Sequence, residues 1–392
     1  MSGKIRELVK GSGLALGKAR VFNNLGKGFF AVALAGLGPE GLGFNENENL
    51  NECKENIRIA AAVGARALQD SGVTGIKVEG FTDAESAAEG AALAVWRFQE
   101  YRDKVNRATA SKVDLYDDPD TEWMEQKGMS AFLELTRGSC EPPLMLELSY
   151  CGGGEDDKPV VMVGKGTTYD SGGLCLKRPE DMSEFRADMA GAAVLVGTMK
   201  ALAVLNVPIN ANALIPLYEN MPGGRATKPG DIVKGLSGKT IRMQDTAREA
   251  RVAVSDALTY TTNYKPCLVI NVGTLTDGIT VALGASSTGV YTTSNVVWNE
   301  LSRAGADTGY SAFDLNNVGK GRGGDSCMGA AFLTNFVPPV DFLHMDISGT
   351  GMLSTGLGYP YIRQGTMTGR PTRTLVQFLY QMACPQDKGS PC

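Results

Sequence analysis

Strand-length apolar runs alternate along this chain with segments whose apolar residues recur at helical spacing. The second part predicts a long alanine-rich helix over Asp188–Leu205 and strands at Leu144–Tyr150, Pro159–Val163, Ile209–Pro216, Pro266–Val272 and Phe342–Ile347. Alternation over this length predicts an α/β protein with a mixed, mostly parallel sheet flanked by helices. Because such sheets form their sites at the carboxyl ends of strands, polar residues that follow these strands are the candidates for chemistry.

The first third has the same pattern on a smaller scale. It predicts strands at Phe29–Leu37 and Gly75–Gly80, and helices at Asn51–Leu68 and Asp83–Arg97, the second capped by Asp83. The sequence then turns polar over residues 105–122, before a predicted helix at Glu122–Arg137. We therefore expect a small N-terminal α/β domain over residues 1–107 and a larger C-terminal domain over residues 108–392, with the boundary near Arg107.

Charge and composition exclude several classes of partner. The net charge is −5, and no run of Lys or Arg is long enough to follow a phosphate backbone, so neither nucleic acid nor an anionic membrane is expected. The longest apolar runs are strand-sized, and the first seven residues lack the apolar core of a signal peptide. Eight scattered cysteines without a C-x-x-C pair favour reduced thiols in the cytoplasm or the mitochondrial matrix.

Histidine is nearly missing from the chain. His344 is the only one, so a Ser-His-Asp triad or a zinc site with histidine ligands would have to be built around it alone. It lies in an apolar, strand-like run, where a hydrogen-bonded core histidine is the more frequent case. Any metal chemistry must therefore depend on oxygen ligands.

Three segments near predicted strand ends concentrate polar residues. They cover residues 164–173 with Lys177 just beyond, residues 185–192, and residues 244–251. Asp170, Asp188 and Glu249 could supply oxygen ligands for Mg, Mn or Zn, and a lysine beside such a centre can polarise a carbonyl. The residues alone leave open the alternative that these acids and lysines form an ordinary solvated surface.

The same segments resemble the signatures of the leucyl aminopeptidase family, the M17 two-metal exopeptidases. The similarity runs from about Ser2 to Arg373 and includes further motifs at residues 219–224, 228–231, 237–240 and 367–373. The resemblance implies that the metal ligands are Lys165, Asp170, Asp188 and Glu249. It also implies that Lys177 polarises the scissile carbonyl and that Arg251 holds a bicarbonate, which helps to deprotonate the attacking water.

One motif departs from the pattern of active members, which reads Asn-Thr-Asp-Ala-Glu-Gly-Arg. Here Ala247 replaces the ligand aspartate, and Arg248 replaces its small neighbour. The family's three Asp and one Glu balance two divalent ions. The remaining acids of this chain give −3, or −2 if Arg248 points inward, which balances one ion. We therefore expect a single divalent ion, Mn or Zn, and a second site that is weak or empty.

Two further departures lie where the family binds its substrate. Asp277 replaces the glycine of a Thr-Leu-Thr-Gly motif that begins at Thr274, and Phe185 replaces a methionine of the specificity pocket. Each could reflect altered specificity, but together with Ala247 they favour lost activity. Stretches of the family pattern are also missing after Arg107 and after Tyr310. We interpret these as junctions across residues left out of the sequence, because losing a core strand would be hard to survive.

Three functions remain open on this basis. The first is a catalytically impaired homologue in a structural or assembly role, resembling the sperm-enriched leucyl aminopeptidases of insects whose active sites are damaged. The second is an active, metal-dependent aminopeptidase that removes N-terminal residues such as Leu from peptides, and the third is a peptide-binding module without turnover. The resemblance implies a homo-oligomer, a hexamer, within a larger structural assembly. It places the chain in the cytoplasm, the mitochondrion or the sperm tail.

Overall fold

A computed structural model of the chain describes residues 13–23, 31–45, 50–95, 121–284, 287–308, 312–313, 325–352 and 366–384. These residues belong to two compact units. The predicted boundary near Arg107 falls within residues 96–120, outside the described residues, and stays a prediction.

The N-terminal unit packs two helices and two antiparallel strand pairs. Its elements are β1 (Ala19–Asn23) paired with β2 (Ala31–Ala35), β3 (Phe44–Asn45) paired with β4 (Leu50–Asn51), α1 (Glu52–Asp70) and α2 (Ala84–Val95). The side chain of Asn51 caps α1 by accepting from the Lys54 amide at 3.1 Å. Asp83 caps α2 in the same way, because its carboxylate accepts from the Ser86 amide at 2.8 Å. The predicted Asp83 cap is therefore confirmed.

Three predicted elements of this unit differ from the structure or extend beyond the described residues. Residues Gly75–Gly80 form no strand, because no strand of the described structure pairs with them; Ile76 instead packs against the apolar residues shared by α1 and α2. The strand expected at Phe29–Leu37 is shorter, and its side chains are half-buried rather than buried. Residues 29, 30 and 96–97, which complete two of the predictions, lie outside the described residues.

The C-terminal unit is built on an eight-stranded mixed sheet. Its members are β5 (Leu144–Cys151), β6 (Val160–Gly164), β7 (Gly166–Asp170), β8 (Asn210–Asn220), β11 (Leu268–Gly273), β12 (Thr288–Thr292), β13 (Ala312–Phe313) and β14 (Asp341–Asp346). The order is β13-β12-β14-β11-β6-β8-β5, with β7 also paired to β8. Strands β14, β11, β6 and β8 run parallel, whereas β5 and β12 pair antiparallel to their neighbours. The predicted mostly parallel sheet is confirmed.

Outside this sheet, a separate hairpin joins β9 (Ile232–Lys234) to β10 (Thr240–Arg242).

Helices cover both faces of this sheet. They are α3 (Thr121–Lys127), α4 (Ser130–Thr136), α5 (Pro179–Met182), α6 (Ala190–Leu205), α7 (Ala250–Ala253), α8 (Ser255–Tyr260), α9 (Asp277–Leu283), α10 (Asn295–Thr308), α11 (Asp325–Leu333) and α12 (Thr372–Ala383). The single helix predicted at Glu122–Arg137 is wrong, because Gly128 adopts φ +76° and separates α3 from α4. The alanine-rich helix begins at Ala190 rather than Asp188, which lies in a preceding 3₁₀ turn, Glu184–Met189.

Successive residues of the central strand β6 face opposite cores. Val160 and Met162 pack with α6, α10 and α12, whereas Val161 and Val163 pack with α3, α4 and α8. All four side chains are fully buried. A strand buried on both faces needs a continuous apolar sequence, which is why its polar successors stand out at the strand end.

The stretch Pro179–Leu205 is long and apolar enough, by length and composition, to cross a membrane. The expectation that all apolar runs are strand-sized therefore does not hold for this stretch. Half of its most apolar window is buried inside the protein. The stretch comprises α5, the 3₁₀ turn and α6, whose inner side chains pack on the sheet.

Candidate active site

The candidate metal ligands meet at the carboxyl edge of the sheet. Lys165 directly follows β6, and Asp170 is the last residue of β7. Asp188 lies in the 3₁₀ turn before α6, and Glu249 directly precedes α7. All four are at most 3% exposed. Residues that are distant in sequence are thus brought into one buried polar cluster, as expected for a parallel sheet.

Lys165 is the central cation of this cluster. Its Nζ lies 2.9 Å from Asp188 Oδ2 and 3.8 Å from Glu249 Oε1, and it donates to the Thr274 carbonyl at 3.2 Å. Burial alone would lower the pKa of the Lys165 ammonium, but the charges of Asp188, Glu249 and Asp170 outweigh burial and raise it. The ammonium group therefore provides an internal counter-charge for the buried acids.

Asp170 is engaged on both of its oxygens. Oδ2 forms a short ion pair with Lys177 Nζ, and Oδ1 accepts from the side-chain amide of Asn220 at 2.8 Å and from the Gly172 amide at 2.9 Å. Burial would raise the pKa of Asp170, but Lys165 and Lys177 together hold it below its usual value. Asp170 is thus an ionised carboxylate whose hydrogen bonds fix its orientation.

Lys177 is covered as well as paired. Its Nζ lies 3.3 Å from the centre of the Phe185 ring, in a cation–π contact. Phe185 therefore lies directly over the group that the family resemblance assigns to the scissile carbonyl. The ammonium group of Lys177 therefore contacts the Asp170 carboxylate and the Phe185 ring at the same time.

The segment that carries the altered motif is held firmly against the Asp170 loop. Thr246 Oγ1 donates to the Gly172 carbonyl at 2.8 Å and accepts from the Cys175 amide at 2.9 Å. The Asn220 amide donates to the Thr246 carbonyl at 3.0 Å. Gly172 adopts φ +90°, a conformation that favours glycine. The backbone at position 247 is therefore fixed by contacts that do not involve the side chain there.

Ala247 and Arg248 lie in a short 3₁₀ helix, Thr246–Arg248, which Asp245 caps by accepting from the Ala247 amide at 2.9 Å. Ala247 presents only a methyl group. The Arg248 side chain is 58% exposed, and its Nε lies 3.5 Å from Asp245 Oδ2. An inward Arg248 is therefore excluded, and the net of −2 does not apply. The positive charges within the cluster come from Lys165 and Lys177.

Thr274 contacts the acidic cluster directly. Its hydroxyl donates to Asp188 Oδ1 at 2.5 Å, and its carbonyl accepts from Lys165. Asp277, which follows in the same motif, is the exposed first residue of α9.

Burial raises the pKa of two acids of the cluster. It is the main cause for Asp188. For Glu249, burial and the charge of Asp170 raise the pKa to about 8.

Arg251 lies in α7, two residues after Glu249, and is half-buried. A methyl group added at Gly329, in α11, would lie 3.4 Å from Arg251 Nε, so the two helices approach closely here. The bicarbonate assigned to Arg251 by the family resemblance stays a prediction.

Sequence reasoning missed two members of the cluster. Asn220, which joins Asp170 to the Thr246 carbonyl, belongs to a motif quoted for the resemblance but had no role assigned. Tyr218 donates its hydroxyl hydrogen to Glu249 Oε1 at 3.0 Å. The alternation of buried residues along β8 could have placed Tyr218 inside the protein, but periodicity alone could not show which carboxylate it reaches.

His344 is a core residue, as predicted. It is fully buried on β14, its ring stacks on Tyr291, and its Nδ1 lies 2.7 Å from Asn271 Oδ1. The Asn271 amide nitrogen donates to the Val163 carbonyl, so Oδ1 is the acceptor and His344 Nδ1 carries the proton. Among the described residues, Nε2 is buried without a hydrogen-bond partner. Burial lowers the pKa of His344 to about 4.

The donor set suits one cation better than two. Within the described ranges, no group of three His, Cys, Asp or Glu side chains is arranged to hold a metal ion. Among the described residues, Glu249 Oε2 is nevertheless buried without a hydrogen-bond partner, and Asp188 Oδ2 lies 2.9 Å from Lys165 Nζ. A bound Mn²⁺ or Zn²⁺ would have to displace the proton of the Lys165 ammonium, whose pKa is raised; the freed nitrogen and the two carboxylates would then form a ligand set that either ion accepts. These residues therefore fit a single divalent ion.

Models of known families match the chain over nearly its whole length. The catalytic domain of the cytosol aminopeptidase family matches residues 87–376, and the family's N-terminal domain matches residues 1–105. This chain belongs to the cytosol aminopeptidase family. The predicted family and fold are therefore confirmed, and the family is one of metal-dependent aminopeptidases. The likeness to the insect sperm members remains a prediction.

Relatives within the cytosol aminopeptidase family span most of the chain. The cytosol aminopeptidases of Sus scrofa and Homo sapiens are each 36% identical to it over 98% of this chain and 87% of their own length. Among solved structures, the bottromycin maturation enzyme BotP has a TM-score of 0.79 and 26% identity and covers 96% of each chain; it is also known in complex with Mn. The cytosol aminopeptidase of Coxiella burnetii has a TM-score of 0.60 and 28% identity, over 68% of this chain and 61% of its own.

The alignments also bear on the length of the chain. The Sus scrofa comparison extends over 457 aligned positions, more than the 392 residues present here, so some positions of the relative have no counterpart. The missing stretches predicted after Arg107 and Tyr310 lie outside the described residues. Their interpretation as junctions stays a prediction.

Proposed function

We propose that this cytosol aminopeptidase homologue is catalytically impaired, because Ala247 replaces a carboxylate ligand of the metal site. The observation that carries the proposal is the fixed backbone at position 247, which presents a methyl group beside the loop of Asp170. A methyl group cannot coordinate a cation. The hydrogen bonds of Thr246 leave the segment little freedom to bring another oxygen into that place.

The remaining acids support one divalent ion, Mn or Zn, held by Lys165, Asp188 and Glu249. When bound, such an ion would polarise a carbonyl and acidify water. A second ion would need Asp170 to exchange its ion pair with Lys177 for coordination, without the missing ligand. We therefore propose that the second site is weak or empty, and that Arg251 is the residue for a bicarbonate.

Lys177 would stabilise negative charge that develops on the substrate carbonyl oxygen. To do so, its ammonium group must leave the ion pair with Asp170 and the face of the Phe185 ring. Both contacts lower the expected activity independently of the metal.

An active metal-dependent aminopeptidase is the second candidate, with peptides that begin with residues such as Leu as its substrates. It is favoured by the convergence of Lys165, Asp170, Asp188 and Glu249 in one buried cluster, with Lys177 beside it. The similar structure of BotP in complex with Mn supports a metal in this fold. A peptide-binding module without turnover is the third candidate and would share the pocket of the first two.

The deciding experiment measures hydrolysis of a leucyl chromogenic amide in excess Mn²⁺. We expect the natural chain to be silent and the variant Ala247→Asp with Arg248→Ala to gain activity. Because Arg248 faces solvent, Ala247→Asp alone should restore as much, and Arg248→Ala alone should restore nothing. Turnover by the natural chain at about 1 per second or more, a usual enzyme rate, would overturn the proposal.

A control shows that any restored activity belongs to this site. Lys177→Met in the Ala247→Asp background should abolish the gain, since the ammonium group is lost. If the natural chain is silent and instead binds leucyl peptides without cleaving them, as calorimetry would show, the binding-module candidate replaces the first.

We also propose a homo-oligomer, a hexamer by family resemblance, in a structural assembly in the cytoplasm, the mitochondrion or the sperm tail. Nucleic acid and membrane are not expected as partners, given the net charge of −5. Light scattering on the purified chain measures the subunit number, and a monomer at micromolar concentration would contradict this part of the proposal.

A further inference from the structure

Tyr218 reaches the acidic cluster from the carboxyl-terminal part of β8, the strand that lies next to the edge strand β5. It lies on β8, is 3% exposed, and donates its hydroxyl hydrogen to Glu249 Oε1 at 3.0 Å. Its ring meets Phe132 edge to face, with centroids 5.5 Å apart and an interplanar angle of 86°. The backbone of Tyr218 is paired with Thr167 in β7, so strand pairing and ring packing together fix the hydroxyl.

The two oxygens of Glu249 consequently differ. Oε1 accepts from Tyr218 and lies 3.8 Å from Lys165 Nζ, whereas Oε2 is buried and has no hydrogen-bond partner in the part of the chain that the structure describes. Leaving a carboxylate oxygen buried and unsatisfied is costly, and native proteins rarely do so without a reason.

We propose that Tyr218 is a positioning residue, which holds Glu249 by one oxygen so that the other stays available to a divalent cation. The inference rests on the proposed single-metal site and adds a residue that the sequence analysis did not select. Partners that hydrogen-bond to ligating carboxylates set their orientation, and replacing them typically weakens metal binding about 10- to 100-fold.

The test measures the dissociation constant of Mn²⁺ by calorimetry at one fixed pH, on the full chain. Tyr218→Phe removes only the hydroxyl group, and we expect it to weaken Mn²⁺ binding about tenfold or more. Tyr169→Phe is the matched control. It makes the same change at a tyrosine that is 41% exposed and whose hydroxyl lies 3.9 Å from Met182 Sδ, away from the acids of the cluster, so the dissociation constant should be unchanged.

A second control separates positioning from general destabilisation. Phe378→Leu should lower the melting temperature, since Phe378 is fully buried in the core on the other face of the sheet. It should leave the dissociation constant of Mn²⁺ unchanged. An equal loss of affinity in Phe378→Leu and Tyr218→Phe would overturn the positioning role.

The remaining outcomes distinguish this inference from the proposal beneath it. If the natural chain binds no Mn²⁺ or Zn²⁺, both the metal site and the inference fail. If the natural chain binds Mn²⁺ and Tyr218→Phe binds it equally well, only the inference fails. Should Tyr218→Phe not fold, the tyrosine ultraviolet difference spectrum of the natural chain decides. Mn²⁺ must perturb a buried phenol, and a flat spectrum overturns the role of Tyr218.

Discussion

Acidification should destabilise this protein through its single histidine. His344 is fully buried, and burial lowers its pKa from the ordinary 6.5 to about 4. The unfolded chain therefore takes up a proton near pH 6.5, whereas the folded chain resists protonation until about pH 4. Since the unfolded state binds more protons in this window, the free energy of unfolding is greatest above pH 6.5 and decreases as the pH falls towards 4.

The magnitude follows from the two pKa values. Each tenfold change in proton affinity is worth about 1.4 kcal/mol, so His344 contributes a loss of about 3 kcal/mol between pH 6.5 and pH 4. Because the ring is fully buried, solvent does not screen this contribution. This is a large fraction of the total stability of an ordinary domain.

The measurement is urea unfolding at a series of pH values, for the natural chain and for His344→Asn. An asparagine can place an amide nitrogen near Nδ1 and keep the donor to Asn271, but it does not titrate. Carboxylates titrate in both proteins, so the difference between the two curves isolates the imidazole. The difference should change by about 3 kcal/mol across the window. If it stays constant from pH 6.5 to pH 4, the reasoning from burial is refuted.

Two further predictions concern helix packing and a buried carboxylate, and urea unfolding checks both. Gly90→Ala should cost about 2 kcal/mol, because the new methyl group would lie 2.2 Å from the Arg58 carbonyl, a backbone atom that cannot move aside. Gly64→Ala, in the neighbouring helix, meets nothing closer than 3.7 Å and should gain up to about 1 kcal/mol; effects of equal sign would contradict the argument. Asp256→Ala should cost about 2 to 4 kcal/mol, because a buried carboxylate that accepts from two backbone amides is lost. Asp231→Ala, which removes an exposed acceptor, should cost less than about 1 kcal/mol, and a similar cost for both would argue against the role of burial.

Much of the sheet could be predicted because its strands are buried on both faces. Val160–Gly164 is apolar throughout, and Leu268–Gly273 is apolar except for Asn271. Both end in glycine beside a polar residue, and both lie within two residues of their predicted bounds. Gly75–Gly80 failed for the opposite reason. A strand needs a neighbour as well as a suitable sequence, and in the part of the chain described here no partner strand reaches these residues.

Four residues of the polar cluster could also be predicted from the sequence. Lys165, Asp170, Asp188 and Glu249 were selected by motif, and the structure brings them together. The direction of Arg248 was not predictable, since it depends on the cap that Asp245 provides to a 3₁₀ helix. Tyr218 was missed because its role depends on a long-range contact with Glu249, 31 positions away in sequence.

The hydrogen bonds of Thr246 have an evolutionary consequence. They secure the loop through a side chain and a carbonyl next to position 247, so that position is free to vary without unfolding the surroundings. Alanine codons that end in a pyrimidine differ from aspartate codons by one base. The proposed loss of the ligand is therefore a small genetic step, and the reverse step is equally short. As long as Thr246 is retained, the scaffold would accept either residue.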